Sequence, residues 1–187
     1  MKPPLLKDTS RFIALACSGW GLRWGGFIDN KKGEWWLIGQ LLLVTAHALP
    51  AWPPLKKFSF NWPETFMIIG LCFFFLGIVI VSRAFLSLGV NLSPLPEPKD
   101  SATLVTIGSY KNCRHPLYQG LLFSSTGVMI TLGSMLHLFL LICLCALLVG
   151  KARREEQQLQ KKHPEYRNYL SRTPAIIPGI PFLDWRK

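Results

Sequence analysis

Side chains that could take part in chemistry stand at the outer ends of two neighbouring apolar segments, residues 117–133 and 136–150. They are a guanidinium, an imidazole, a phenol and two carboxylates, in Arg114, His115, Tyr118, Glu155 and Glu156. A carboxylate can bind a cationic ligand, and an imidazole can accept a proton near neutral pH. Because the turn between the segments is very short, the two segments must run antiparallel. The sequence therefore predicts that these side chains converge at one face of a helical hairpin.

Taken singly, each group also has a structural interpretation. Arg114 and His115 suit a membrane interface, where they would contact lipid phosphate, and Pro116 suits the first turn of a helix. Two glutamates on a helix that projects from a membrane usually form a solvated face. Lys151 precedes Glu155 by four residues, which is the less favourable order for a helical ion pair, so helix stability explains that pair poorly. Only the combination of these groups at the two ends of one hairpin indicates a functional site.

The composition indicates a multi-pass membrane protein. Half of the 187 residues are hydrophobic and only 17% are charged, and the mean hydropathy is +0.28. Soluble domains carry about 25% charged residues, and here the apolar residues form long runs instead of recurring at core spacing. We therefore expect an all-α membrane protein with a single membrane domain over residues 1–187.

The net charge of +11 has two interpretations. A strongly basic chain can bind nucleic acid, but no nucleic-acid-binding motif accompanies the charge. Loop lysines and arginines of membrane proteins follow the positive-inside bias and meet anionic lipid. We expect membrane lipids, and no nucleic acid, as partners.

The cysteines predict neither a disulfide framework nor a metal site. There are five, an odd number, and no C-x-x-C pair occurs. Three of them lie well inside apolar segments. Secreted disulfide scaffolds and structural zinc sites show the opposite pattern.

Four membrane-spanning helices are predicted. They lie at residues 35–52, at 64 or 66 to 81 with a prolongation to 88, at 117–133 and at 136–150. Residues 12–28 are short for a span and include Arg23, so we expect an interfacial helix there, with a fifth span as the alternative. Six Lys and Arg precede Trp35 and nine lie from Lys151 onward, against two in residues 51–63. Because positively charged loops stay in the cytoplasm, both termini and the candidate site are predicted to be cytoplasmic.

The connections divide the domain into N-terminal spans, residues 1–88, and a region that holds the candidate site, residues 89–187. Three prolines in residues 89–112 predict an extended path. The last long helix is predicted to continue to Lys162, where His163 and Pro164 end it. The tail, residues 176–185, is predicted to be irregular and to lie along the membrane surface.

Two further patterns are assigned to packing. The small residues 124–127 are predicted to permit close contact between helices. His47 and His137 lie in or beside spans, where packed or interfacial histidines are commoner than ligands.

The motifs at the two ends of the hairpin resemble those of a known family. G-x-Y-x-x-x-R-H-P-x-Y-x-G opens the hairpin, and E-E-x-x-L followed by H-P-E-Y-x-x-Y closes it. Together they resemble the isoprenylcysteine carboxyl methyltransferase and phospholipid methyltransferase superfamily of integral membrane enzymes. The residues that carry the resemblance are Gly108, Tyr110, Arg114, His115, Pro116, Tyr118, Gly120, Glu155, Glu156, Leu159, Glu165, Tyr166 and Tyr169. The resemblance covers residues 88–178.

The resemblance implies transfer of a methyl group from S-adenosyl-L-methionine to a lipid or lipidated acceptor. The cofactor-binding residues that it implies are Ala102, Thr103, Leu104, Val105, Tyr110, His115, Pro116, Leu117, Tyr118, Glu155 and Glu156. The catalytic residues that it implies are His115, Lys151, Arg154 and Glu155. The family places an arginine one helical turn before the first glutamate, where this sequence has Lys151, with Arg154 close by.

The acceptor is left open by the sequence. An isoprenylcysteine carboxylate, a phospholipid headgroup or another isoprenoid lipid would each suit a site that opens to the bilayer. A carboxylate needs no base, whereas an amine does, and His115 is the histidine that we nominate for that role. Two other functions remain as alternatives, an NADPH-dependent membrane reductase of related hairpin fold and a non-catalytic lipid-binding scaffold.

Overall fold

The computed structural model describes residues 26–30, 32–53, 61–97 and 103–186, and these residues are helical with irregular connections. The helices are α1 (Glu34–Ala46), α2 (Glu64–Leu88), α3 (Pro116–Leu132), α4 (Met135–Lys162) and α5 (Tyr166–Arg172). Single helical turns lie at Gly26–Asp29, Gly89–Asn91 and Gly108–Lys111. The described part of the chain contains no strand, which confirms the all-α prediction. The helix predicted at residues 12–28 lies almost entirely outside the described residues.

Two helices are long and apolar enough to cross a membrane, judged by length and composition. They are α2 with 25 residues and α4 with 28 residues. At 1.5 Å per residue, each exceeds the roughly 30 Å thickness of the hydrocarbon core. The predicted end of α4 at His163 is confirmed, since the helix ends at Lys162.

The span predicted at residues 35–52 is wrong at its C-terminal end, because α1 stops at Ala46. The residues that follow form a turn, in which the backbone N–H of Ala48 donates to Thr45 and that of Leu49 donates to Ala46. Pro50 disfavours a helical conformation at Leu49. With 13 residues, α1 is about 20 Å long, less than a bilayer core.

The helices pack in the order α1 on α4, α4 on α3, and α3 on α2. The closest contact joins α2 to α3, where a Cβ added to Gly77 would lie 2.5 Å from the carbonyl oxygen of Gly120. A Cβ on Gly127 would lie 2.4 Å from the backbone nitrogen of Phe74. The close contact predicted for residues 124–127 is therefore present, and its partner is α2.

The hairpin of α3 and α4 carries the buried core. Leu144 and Leu148 of α4 pack with Leu122 of α3 and with Ala175 and Ile176. The latter two belong to the segment after α5, residues 173–186, which is called the tail from here on. The turn between the two helices is made possible by Gly133, whose φ of +56° favours glycine. The prediction that residues 176–185 lie along the membrane surface is wrong for the first of them, because Ile176 is fully buried.

The far end of the hairpin is closed by hydrogen-bonded polar side chains. His137 is fully buried, and its Nδ1 lies 2.8 Å from the hydroxyl of Ser134. That hydroxyl also accepts from the backbone N–H of Trp52, at 3.1 Å. His47 contacts the ring of His137 edge to face and bonds the hydroxyl of Ser125. Both histidines are packed, as predicted.

Candidate functional site

A cavity of about 340 Å³ lies at the end of the hairpin that carries the predicted residues. Its walls come from α1, α2, the connection between α2 and α3, the start of α3, the polar part of α4 and α5. The wall is apolar along α2 and α3, and polar groups meet where α3 begins. Pockets of about 300–1,000 Å³ with a few convergent polar groups are typical of small-molecule sites.

Glu155 is the meeting point of the predicted residues. Its Oε2 accepts a hydrogen bond from the hydroxyl of Tyr118, at 3.0 Å, and lies 3.5 Å from Nδ1 of His115. The rings of His115 and Tyr118 are stacked almost parallel, 5.3 Å apart. All three residues line the cavity. The predicted convergence of the start of α3 with the polar part of α4 is therefore observed.

The imidazole of His115 is held between two carboxylates. Its Nε2 lies 3.0 Å from Oε1 of Glu156, while Nδ1 faces Glu155. Burial favours the neutral ring, but the hydrogen bonds to both carboxylates outweigh burial and raise the pKa of His115 above its usual 6.5. Because both of its ring nitrogens face carboxylates, the imidazole presents no free nitrogen that could accept a proton from a substrate. This geometry argues against the role of base for His115.

Glu156 points into the protein and does not line the cavity. Its carboxylate is buried and accepts hydrogen bonds from Nε of Arg114 at 2.8 Å and from the indole of Trp185 at 2.7 Å, in addition to its contact with His115. These contacts are those of a structural carboxylate. The structure therefore separates the two adjacent glutamates, although the resemblance grouped both with the cofactor.

Arg114 is a fully buried structural residue, so the interpretation as a lipid-phosphate contact is wrong. Its Nη1 donates to the carbonyl oxygens of Leu170 and Thr173, at 2.7 and 2.5 Å. Its Nη2 is buried with no hydrogen-bond partner among the described residues. The guanidinium thereby joins the start of α3 to the end of α5.

Lys151 brings a buried positive charge to the cavity. The residue is only 2% exposed, and its Nζ donates to Oε1 of Gln40 at 2.7 Å and to the carbonyl oxygen of Pro94 at 2.8 Å. The same Nζ lies 5.5 Å from the ring centre of Tyr118. Arg154, the other predicted cation, does not line the cavity.

The loop before α3, to which the resemblance assigned cofactor binding, supplies one wall of the cavity. Thr103, Leu104 and Val105 line the cavity together with Tyr110 and Leu117. Ala102 lies outside the described residues. Pro116 is buried at the first position of α3 and does not line the cavity.

Comparison of the chain with known protein families identifies the family to which it belongs. The model of the family described as phospholipid methyltransferase matches residues 65–165, more than half of the chain. The chain belongs to the phospholipid methyltransferase family. The match includes the start of α3 and Glu155, the residues that meet at the cavity.

Individual relatives are distant. Protein-S-isoprenylcysteine O-methyltransferase of Mus musculus is 29% identical over 169 residues, which cover 83% of this chain and 58% of the mouse protein. The protein of the same name from Xenopus laevis is 30% identical over 154 residues, covering 79% and 53%. The nickel-cobalt-cadmium resistance protein NccN of Alcaligenes xylosoxydans xylosoxydans is 30% identical over 160 residues, covering 81% and 66%. The chain thus spans about half to two thirds of the length of these relatives.

Several cavity residues of this phospholipid methyltransferase family member were not assigned a role from the sequence. They are Leu37, Gln40, Ser93, Pro94, Leu95, Leu159, Tyr166 and Tyr169. Gln40 had a signal, because it is a lone amide within an apolar helix. Tyr166 and Tyr169 had one too, since they are three residues apart on α5 and follow the helix-ending proline. The hydroxyl of Tyr169 donates to the carbonyl oxygen of Tyr110, which fixes α5 against the loop.

The site has no metal-binding cluster in the part of the chain that the structure describes. No group of three or more His, Cys, Asp or Glu side chains is arranged there so that it could hold a metal ion. The histidine at the cavity already has both ring nitrogens on carboxylates.

Proposed function

We propose that this family member transfers a methyl group from S-adenosyl-L-methionine to a membrane amphiphile. The observation that carries the proposal is the meeting of Tyr118, His115 and Glu155 at one cavity. Membership of the family supports the same reaction.

The donor set of the cavity fits this cofactor. When bound, S-adenosyl-L-methionine would supply an electrophilic methyl group on a positively charged sulfonium. Glu155 would provide the negative charge that a sulfonium or an ammonium prefers. Tyr110, Tyr118 and Tyr166 line the same space, and aromatic rings suit an adenine ring or a cation.

In this reaction the residues of the chain position the two reactants and exclude water from the cavity. Methyl transfer is an in-line displacement, so a dry cavity that holds both reactants in line supplies most of the rate increase. No base is available from His115, since its ring is held between two carboxylates. We infer an acceptor that reacts without losing a proton, such as a carboxylate, and assign Lys151 as the cation that receives it.

The apolar part of the cavity suits the chain of an amphiphile. Leu37 of α1 faces it from one side, and Val81 and Phe85 of α2 from the other. Phe85 is itself half exposed, so this wall continues to the outer surface of α2. We propose that both termini and the polar end of the cavity lie at the cytoplasmic face, as the distribution of Lys and Arg predicts.

Calorimetry on the detergent-purified protein tests the proposal. S-adenosyl-L-methionine and NADPH are titrated separately into the wild type, Glu155→Gln and a control, Glu165→Gln, whose side chain is 61% exposed. We expect S-adenosyl-L-methionine to bind the wild type and the control alike, and to bind Glu155→Gln about tenfold or more weakly, since a hydrogen bond to a charged group contributes about 1.5–3 kcal/mol. Binding of NADPH alone would favour a reductase, and binding of neither a lipid-binding scaffold.

A methyl-transfer assay then tests the acceptor. Labelled S-adenosyl-L-methionine is offered with a prenylated cysteine that has a free carboxylate, and separately with phosphatidylethanolamine. We expect label in the first alone. Label in the amine would contradict the inferred absence of a base.

A further inference from the structure

Trp185, near the end of the chain, reaches back to the candidate site. Its indole N–H donates to Oε2 of Glu156, at 2.7 Å. The guanidinium carbons of Arg114 and Arg153 lie 5.8 and 5.3 Å from the centre of its ring. Neither the family match, which ends at residue 165, nor the motifs at the hairpin include this residue.

The tail has a defined path that brings Trp185 to this place. The backbone N–H groups of Arg114 and His115 each donate to the tail, to the carbonyl oxygens of Pro174 and Ala175, both at 2.9 Å. Further along, the N–H of Ile176 donates to the carbonyl oxygen of Leu183 at 2.9 Å, which closes the tail into a loop. Trp185 therefore follows directly from a loop that is tied both to itself and to the start of α3.

A continuous series of contacts joins Trp185 to Glu155. Glu156 accepts from Trp185 through Oε2 and contacts Nε2 of His115 through Oε1. The other nitrogen of His115 faces Glu155 at the cavity. Trp185 itself does not line the cavity. Any influence that it has on a ligand must therefore pass through the residues that it contacts, which are Glu156, His115 and Arg114.

We propose that Trp185 is a positioning residue for the cofactor site: its indole N–H orients Glu156, which holds the imidazole that faces Glu155. The proposal rests on the proposed function. The carboxylate of Glu156 is buried, and a buried carboxylate needs all of its donors to keep its charge and its direction. The tail thereby completes a site whose other parts lie in α3 and α4.

The chain offers a matched control for this role in Trp62. Its indole N–H also makes one hydrogen bond, 2.8 Å long, to the carbonyl oxygen of Ile130 near the far end of α3. Trp62→Phe and Trp185→Phe therefore remove the same group, a bonded indole N–H, at opposite ends of the hairpin. Trp185→Phe keeps an aromatic ring beside Arg114 and Arg153, so it is milder than Trp185→Ala.

Burial raises the pKa of Glu156, but the hydrogen bonds from His115 and Trp185 outweigh burial and hold that pKa below its usual 4.5. The experiment is therefore calorimetric titration of S-adenosyl-L-methionine into these variants between pH 4 and 8. We expect S-adenosyl-L-methionine to bind Trp185→Phe roughly tenfold more weakly than the wild type, because loss of a hydrogen bond that supports a metal ligand lowers affinity by about that factor. We expect unchanged binding in Trp62→Phe. Without the indole donor, Glu156 takes up a proton at a higher pH. Binding by Trp185→Phe should therefore begin to fail at a higher pH than binding by the wild type.

Each outcome decides the proposal. Equal affinity of Trp185→Phe and the wild type at every pH would overturn it and leave the proposed function intact. A weaker affinity by one constant factor at all pH values would also overturn it, because a merely structural role predicts that result. A wild type that does not bind S-adenosyl-L-methionine would overturn both proposals.

Discussion

Glu155 and Glu156 are adjacent on α4, yet their carboxylates have different surroundings. Glu155 accepts from the hydroxyl of Tyr118 at the cavity wall, whereas Glu156 accepts from the indole of Trp185 inside the protein. Neighbours on a helix point about 100° apart, so one can face a ligand while the other faces the core. The pair therefore combines a carboxylate at the cavity with a carboxylate that is buried in the structure.

Replacing the two glutamates should separate binding from stability. Glu156→Gln removes the negative charge beside Arg114 and His115, and breaking a buried pair from one side costs about 3–5 kcal/mol. We expect a clearly lower unfolding temperature for Glu156→Gln in detergent, and a much smaller change for Glu155→Gln, whose side chain is 23% exposed. Equal unfolding temperatures for the two variants would contradict the assignment.

The sequence predicted the convergence of the site because it depends on short-range features. A very short turn forces α3 and α4 to run antiparallel, and Pro116 and Pro164 mark helix ends. The sequence did not predict the role of the tail, because Arg114 and His115 meet it through the backbone carbonyls of Pro174 and Ala175. Carbonyl groups are present in every residue, so such pairing leaves no pattern.

The position of Gln40 could not be predicted for a different reason. Its partner Lys151 is more than a hundred residues away on another helix. The hydropathy of the sequence shows that Gln40 and Lys151 each lie near apolar residues, but it does not show that α1 packs on α4. The same limit applies to α2 and α3, whose glycines indicated a close contact without indicating its partner.

The ionisation of His115 should make stability depend on pH above about pH 6.5. The pKa of His115 is raised in the folded protein above its usual 6.5. The folded state therefore binds the proton more tightly than the unfolded state does. The resulting stability is fully present below about pH 6.5 and is lost as pH rises through the folded pKa.

The measurement for His115 is the unfolding temperature of the wild type and of His115→Gln from pH 6 to 9. We expect the advantage of the wild type to shrink as pH rises, by up to about 1.4 kcal/mol per pH unit. A constant or growing advantage across this range would show that His115 is neutral in the folded protein.

The glycine contact between α2 and α3 predicts a local sensitivity to volume. In Gly77→Ala, the new methyl group would lie 2.5 Å from the carbonyl oxygen of Gly120, which is backbone and cannot turn away. We expect a loss of about 1–3 kcal/mol in the free energy of unfolding. Gly39→Ala is the control, since its methyl group would meet only the movable end of Leu147. Similar thermal shifts for both variants would argue against the close contact.

The contact between Gln40 and Lys151 predicts coupling of the two side chains. Gln40→Leu leaves a buried ammonium with one acceptor fewer, which costs about 1–3 kcal/mol. Once Lys151→Met has removed the ammonium, Gln40→Leu should cost much less. A double-mutant cycle on unfolding temperatures measures this difference. Additive effects would mean that the two side chains do not interact.

The thiol of Cys113 reports on the packing of the tail. Its Sγ donates to the carbonyl oxygens of Ala175 and Ile176, at 3.2 and 3.3 Å. Burial raises the pKa of Cys113 to about 11 from the usual 9.0. Because the thiolate is the reactive form, this shift alone reduces the reactive fraction near pH 8 by about a hundredfold.

Alkylation of a variant that keeps Cys113 as its sole cysteine measures this effect. At pH 8 we expect Cys113 to react with iodoacetamide at least about a hundredfold more slowly than glutathione, since burial also blocks the reagent. Adding Trp185→Ala should speed the reaction, because the tail then loses its anchor on Glu156. The same addition with Trp62→Ala should not, since that indole bonds Ile130 at the other end of α3. A rate for Cys113 near that of glutathione would mean that the tail does not cover the start of α3 in solution.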